Sequence, residues 1–408
     1  MNGTGTGPKG KEHCELDEVR LFLCGDVMTG RGIDQILPHP CRPELYESYV
    51  RDARDYVKLA IHTNGRIRKP VSFDYIWRDA LPVLQQFAPD IRIINLETSI
   101  TTSIDYWRGK GINYRMHPQN VSCLYAAGID CCALANNHVL DWGYLGLSET
   151  LKTLSNSGIQ AAGAGADLTE ARQPVIQDVA ADTRVLLFSF GCHSSGIPLD
   201  WAASADKPGV WLVAEQSLDW IDTFARRLEQ LRRVGDIVVC SIHWGRNWGY
   251  DIPDYRRQMA YRLIDEAGVD IVYGHSSHHA LGIERYRDRL ILYGCGDCIN
   301  DYEGIGSHTE YRGDLPLLYL IRVKRGSGTL IELMMAPMQI RQMCLNKPSS
   351  DDIAWLEHTL DRESIKLGCR QAGAKCGIDL INPADTDNRI HPQAGKFSIR
   401  GYFLLRQL

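Results

Sequence analysis

The stretch IDCCALANNHVLDWGYLGLSETLKTLSNSG, Ile129 to Gly158, changes its structural period midway. Ile129 to Ala135 is a short run of small, apolar and β-branched residues, bounded by Gly128 and by polar residues, and reads as a buried strand. Tyr144 to Gly158 has amphipathic spacing and closes on a glycine where a left-handed C-cap belongs, so it reads as a helix. Between them stand Asn136, Asn137 and His138. A strand feeding a helix is the unit of an α/β sheet, and such sheets carry their chemistry at the carboxyl ends of the strands. Taken alone, the segment fits equally well two amides capping a turn beside a histidine satisfied within a loop. The rest of the chain has to decide.

Outward from this unit the same alternation continues. Val19–Gly25, Ile91–Glu97, Arg184–Gly191, Asp236–Gly245, Val269–His275 and Leu290–Asp297 read as further strands. Ser217–Gly235 and Asp254–Gly268 read as amphipathic helices closed by glycine. The order argues for a layered α/β architecture. Leu315–Val323 and Thr329–Met338 follow one another across KRGSG without a helix, which predicts an antiparallel hairpin. After Pro348, Ser349 and Asp352 form a capping-box pattern ahead of a helical spacing of Ile353, Leu356, Leu360 and Ile365. The expected organisation is a lead-in at 1–18, a main domain at 19–347 with an inserted segment at 37–73, and a C-terminal helical extension or cap at 348–408.

Composition sets the outer limits. With 408 residues, 44% hydrophobic and 23% charged, the chain is long enough for a large core. A net charge of -5 argues against nucleic acid as a partner. No apolar run approaches the ~20 residues of a membrane span, and the polar, Gly-rich start has no signal-peptide core. These features predict a cytoplasmic protein without a membrane anchor. The 13 cysteines are scattered without a framework and fall largely in strands, which predicts reduced, core-filling thiols. Cys295 and Cys298 have redox spacing, but no thioredoxin-like helix start follows them.

Successive strand ends offer Asp26, Asn95 with Glu97, Asn137 with His138, His243, and His275 with His278. Each alone is weak, because a Gly-Asp pair is commonly a turn and an isolated histidine is usually structural. Together they form a mixed oxygen and nitrogen donor set suited to one or two divalent ions such as Mn, Fe, Zn or Ni. Two ions about 3.5–4 Å apart would share a carboxylate. His138, beside a ligand amide, would then act as a proton donor.

The motifs GDVMTGRG, NLETSIT, LANNHVLDWG, HWG, GHSSHHALGIE and YGCGD stand in this order between Gly25 and Asp297. They resemble those of the CapA family of poly-γ-glutamate capsule-synthesis proteins, which in turn resemble calcineurin-type metallophosphoesterases. The resemblance implies a four-layer α/β/β/α sandwich. It implies that Asp26 and His278 serve one metal, that Asn137, His243 and His275 serve the other, that Glu97 bridges, and that His138 is catalytic. The sequence departs from the pattern where metallophosphoesterases usually carry a histidine, here Met28, and at Ser276 and Ser277. Capsule-synthesis members are commonly membrane-anchored, so the absence of an anchor here points to a soluble branch.

Two further segments bear on the substrate. Asn300–Leu315, with His308 and Arg312, reads either as a solvated loop or as an active-site wall. Leu37–Phe73 is basic and aromatic at once and reads either as a solvated surface subdomain or as a lid over an anionic or peptidic ligand. Three functions fit. The first is a metal-dependent hydrolase of a phosphoester, peptide or polyglutamate substrate. The second, like the soluble CapA-like enzymes of lasso-peptide pathways, is an epimerase that exchanges a Cα proton between His308 and Asp26, with Arg312 gripping a carboxylate. The third is a non-catalytic peptide or polyglutamate binder. Asn95 and Arg312 are the expected substrate contacts.

Overall fold

The computed structural model describes residues 17–180 and 182–367, and the backbone of two short strands at 379–380 and 403–406. The lead-in expected at 1–18, apart from its last two residues, and the expected extension beyond Leu367, apart from those two strands, lie outside the described residues.

Two sheets form the centre. In the first, Glu18–Val27, Ile91–Leu96, Cys131–Ala133 and Gln160–Ala162 run parallel in that order. On the other side of Glu18–Val27 the sheet continues antiparallel through Leu317–Lys324 and Leu330–Pro337, the hairpin expected across KRGSG. In the second sheet Thr183–Cys192, Ile237–His243, Ile271–His275 and Arg289–Leu292 run parallel.

Strand alternation explains the layering, because successive side chains point to opposite faces. Val19, Leu21 and Leu23 of the first sheet meet Val185, Leu187, Ile237 and Val239 of the second in one buried core. The residues between them point the other way. Phe22, Cys24 and Ile94 pack with Val83, Leu84, Leu147 and Leu154 of helices Ala80–Phe87 and Gly143–Asn156. Leu186, Phe188, Val238 and Cys240 pack with Ile221, Phe224, Met259 and Leu263 of helices Trp220–Leu231 and Asp254–Asp265. The result is helix, sheet, sheet, helix, the four layers that the resemblance implied. Leu187 is fully buried between the sheets. Leu187→Ala is expected to lower unfolding stability by about 2–5 kcal/mol through lost burial and a residual cavity, measured by chemical denaturation.

Several local expectations hold and two change. Gly158 and Gly268 take positive φ just beyond their helices, and Ser349 and Asp352 make a reciprocal capping box on helix Ser350–Lys366. Leu356 and Leu360 of that helix enter the core between the sheets. Helix Trp220–Leu231 stops short of Gly235, because Arg232 is extended and Arg184 Nη2 caps the Leu231 carbonyl at 3.1 Å. The run Leu290–Asp297 is not one strand. Arg289–Leu292 belongs to the second sheet, whereas Asp297–Ile299 pairs with Glu18–Val27 in the first, and Gly296 turns between them at φ +74. The ten cysteines among the described residues are free and buried, as expected for core thiols.

The crossing from sheet to sheet at Gly296 also explains Gly25. A Cβ there would stand 1.9 Å from the Gly296 carbonyl oxygen, so only glycine lets the chain approach. Asp26 consequently pairs in register with both Asn95 and Asp297. In the second sheet His243 pairs with His275. The carboxyl ends of both sheets thus open onto one another.

Candidate metal centre

Asp26, Glu97 and His243 each present a donor atom within 4.8 Å of the others, and all three residues are buried. Asp26 is held from two sides: Asn95 Nδ2 donates to its Oδ1 at 2.8 Å, and the Ser276 backbone N–H donates to its Oδ2 at 3.3 Å. Ser276 reaches this position at φ +88, a strained conformation for a non-glycine residue and a common mark of functional sites. Burial would raise the Asp26 carboxyl, yet the His275 and His243 imidazoles hold it well below the usual carboxylate range. Burial and then the neighbouring Asp26 charge push Glu97 well above that range. Two buried carboxylates so close together retain a proton unless a cation compensates them.

The neighbouring donors test whether a cation fits. Asn137 Oδ1, His243 Nε2 and His275 Nε2 are buried atoms without a hydrogen-bond partner. His275 Nδ1 lies 2.9 Å from Asp26 Oδ1, which turns that nitrogen toward the carboxylate. Burial pushes His243 down to about 3, so its ring is neutral at ordinary pH with a lone pair free. Unpaired buried polar atoms are rare and costly. Orphaned atoms on the carboxamide and both imidazoles, together with the acid pair, are the donor types a divalent transition ion needs. The residues fit the ion.

His278 is different. Its Nδ1 lies 2.8 Å from Asp297 Oδ1 and its Nε2 lies 3.0 Å from Asn247 Nδ2. Burial pulls this imidazole down, but the Asp297 charge outweighs it and raises it above its ordinary value.

His138 is buried with Nε2 3.7 Å from Glu97 Oε1. Its Nδ1 lies 2.6 Å from Asp141 Oδ2 and 2.9 Å from Lys110 Nζ. The shorter contact to a carboxylate assigns the Nδ1 proton to Asp141, leaving Nε2 as the acceptor facing the acid pair. Lys110 also bonds Asp141 Oδ1 at 2.5 Å. Burial pushes His138 down to about 4, with Asp141 and Lys110 acting in opposite senses. Asp141 and Lys110 were missed in the sequence. Asp141 stood three residues after His138 in the same motif, whereas nothing in the sequence joined Lys110 to it.

Asn95, expected at the substrate, has both ends of its amide engaged within the protein. Nδ2 serves Asp26, and Oδ1 accepts from Asn136 Nδ2 at 3.0 Å. Asn136 in turn accepts from the His138 N–H at 3.1 Å, so the two amides lock the motif onto the first sheet.

A cavity of about 570 Å³ has His278, Asn247 and Tyr302 among its lining, whereas Asp26, Glu97, Asn137, His243 and His275 do not line it. Residues of Asn300–Leu315, including His308 and Arg312, line it too. Tyr49, Thr63 and Asn64 of the inserted segment line it as well. His308 stacks on Trp248 at 4.5 Å, and Trp248 lies 5.3 Å from the His278 ring. Arg312 gives its guanidinium to Asp314 at 2.8 and 2.9 Å and to Asp352 at 2.6 Å. The inserted segment is anchored from beneath by Arg31, which bonds Glu47 at 2.9 Å and lies over the Tyr56 ring at 4.0 Å.

A four-layer sandwich with acid, amide and imidazole donors at the facing carboxyl ends of its sheets defines a metallophosphoesterase-like α/β protein. The family described as Bacterial capsule synthesis protein PGA_cap matches residues 20–302, and the chain belongs to that family. It is 49% identical over 355 residues to a Probable polyglutamine synthesis accessory protein of Mycobacterium tuberculosis, covering 87% of this chain and 93% of that one. It is 25% identical over 302 residues to the PGA biosynthesis protein CapA of Bacillus subtilis, covering 73% of this chain and 67% of that one. The Capsule biosynthesis protein CapA of Bacillus anthracis is 22% identical over 291 residues, 71% of this chain and 62% of its own length. No helix among the described residues is long and apolar enough to cross a membrane.

Proposed function

We propose that the protein is a metal-dependent hydrolase of metallophosphoesterase type. One observation carries the reading: Asp26, Glu97 and His243 bring donor atoms within 4.8 Å of one another, and Asn137 Oδ1, His243 Nε2 and His275 Nε2 are buried without partners. These five residues would hold a divalent ion. When bound, the ion supplies Lewis-acid polarisation of the scissile group and acidifies a water. The chain's own residues do the rest. Asn95 and the Ser276 N–H fix Asp26, and Asp141 fixes the tautomer of His138. His138 Nε2 takes up the proton released by the attacking water and passes it to the leaving oxygen or nitrogen. The relatives named for polyglutamine synthesis and for PGA and capsule biosynthesis favour an amide-linked polymer over a phosphoester as substrate.

Assay of purified protein against poly-γ-glutamate, short glutamyl peptides and a phosphoester panel, before and after chelation, tests this reading. Cleavage that chelation stops and added Mn or Zn restores is expected. The same incubations in D₂O separate hydrolysis from epimerisation. Recovered peptide that gains deuterium at Cα without any cleavage would reject the hydrolase.

A further inference from the structure

We infer that this chain holds a single ion, bound by Asp26, Glu97, Asn137, His243 and His275, and that His278 belongs to the wall of the substrate cavity and not to a second metal. The inference rests on the metal-dependent reading above and narrows it. The two sides of the cluster differ in one physical respect, namely which polar atoms have partners. On one side stand the clustered Asp26, Glu97 and His243, and Asn137 Oδ1, His243 Nε2 and His275 Nε2 have no partner. On the other side the acid and imidazole that a second ion would need are already engaged. Both His278 ring nitrogens are engaged, by Asp297 at 2.8 Å and by Asn247 at 3.0 Å. The second oxygen of Asp297 accepts from Asn300 Nδ2 at 2.7 Å. Asp301 belongs to Arg31, bonded at 2.5 and 3.2 Å.

Met28 completes the closure. It is fully buried, and the Tyr302 hydroxyl lies 3.7 Å from its sulfur. A thioether is a soft, neutral donor that does not replace an imidazole for Mn, Fe or Zn. The ring of Tyr302 stands edge-on to His278 at 5.4 Å, so Met28, Tyr302, His278 and Asn247 form one connected surface. Of these, Tyr302, His278 and Asn247 face the cavity. Where a second ion would bring a pair of charges, this chain offers a satisfied polar wall to its ligand.

The test is stoichiometry, with no assay of activity needed. The full chain is stripped with chelator, loaded with Mn(II), freed of excess ion, and read by elemental analysis and electron paramagnetic resonance. One equivalent per chain with the signal of an isolated Mn(II) is expected. His243→Ala should bind none, whereas His278→Gln and Met28→Leu should each keep the one equivalent. Two equivalents in the wild type, a spin-coupled pair signal, or loss of the ion from folded His278→Gln would overturn the inference and leave the metal-dependent reading standing. Should His278→Gln fail to fold, the wild-type spectrum and Met28→Leu still decide. A wild type that binds no ion would reject both.

Discussion

His243→Ala is expected to yield a folded protein without metal, whose kcat/KM falls by about 10³-fold or more, since a bound ion supplies several kcal/mol of transition-state stabilisation and each 1.4 kcal/mol is tenfold in rate. The imidazole stands at the carboxyl end of strand Ile237–His243, where the ladder to Ile271–His275 ends. Its Nε2 has no protein partner, so truncation breaks no hydrogen bond at that atom. The cost to folding is the lost packing of one buried ring and the 3.5 Å contact of its Nδ1 with Asn95 Nδ2, whereas the cost to the ion is one of two imidazole donors. Circular dichroism should therefore change little while elemental analysis falls to background. A variant that keeps its ion and its turnover would remove His243 from the centre.

His138→Gln is expected to separate chemistry from binding. Positioned general acids and bases contribute about 10²–10⁴-fold, and kcat should fall within that range while metal content stays at the wild-type level. Gln retains hydrogen bonding but cannot carry a proton from water to leaving group. The structure adds a control. Asp141 Oδ2 receives His138 Nδ1 at 2.6 Å and also the Tyr114 N–H at 2.6 Å, and neither Asp141 nor Lys110 is among the proposed donors. Asp141→Asn should thus lower kcat in the same direction and more weakly, by leaving the imidazole free to adopt the other tautomer. Loss of the ion from His138→Gln would mean that the ring is a ligand and that the proton transfer belongs elsewhere.

The sequence carried what is local. The near-continuous apolar runs Val19–Gly25 and Asp236–Gly245 encode strands buried on both faces. The helices over Gly143–Asn156 and Ser350–Lys366 are written in their periodicity and ends, Gly158 for one and the Ser349 capping box for the other. Acids, amides and imidazoles at strand ends were legible for the same reason, since a run of apolar residues stops at each of them. The break within Leu290–Asp297 was not legible, because an apolar run does not say when a strand leaves one sheet for another.

By itself, then, the sequence determined the element types, their layered order and the short catalogue of residues able to bind an ion, all through periodicity and termination within a few residues. Tertiary structure alone decided which of those residues have partners. Asp297 reaches His278 only because the chain crosses between sheets at Gly296, and Lys110 reaches Asp141 and His138 only through the loop ahead of Tyr114. Asn95 is turned from a candidate substrate contact into a clamp on Asp26 by Asn136 of the adjacent strand's loop. A buried donor becomes a metal ligand or a structural bond according to what is packed against it, and the partners at this site lie on strands and loops far apart in sequence, where no local pattern records them.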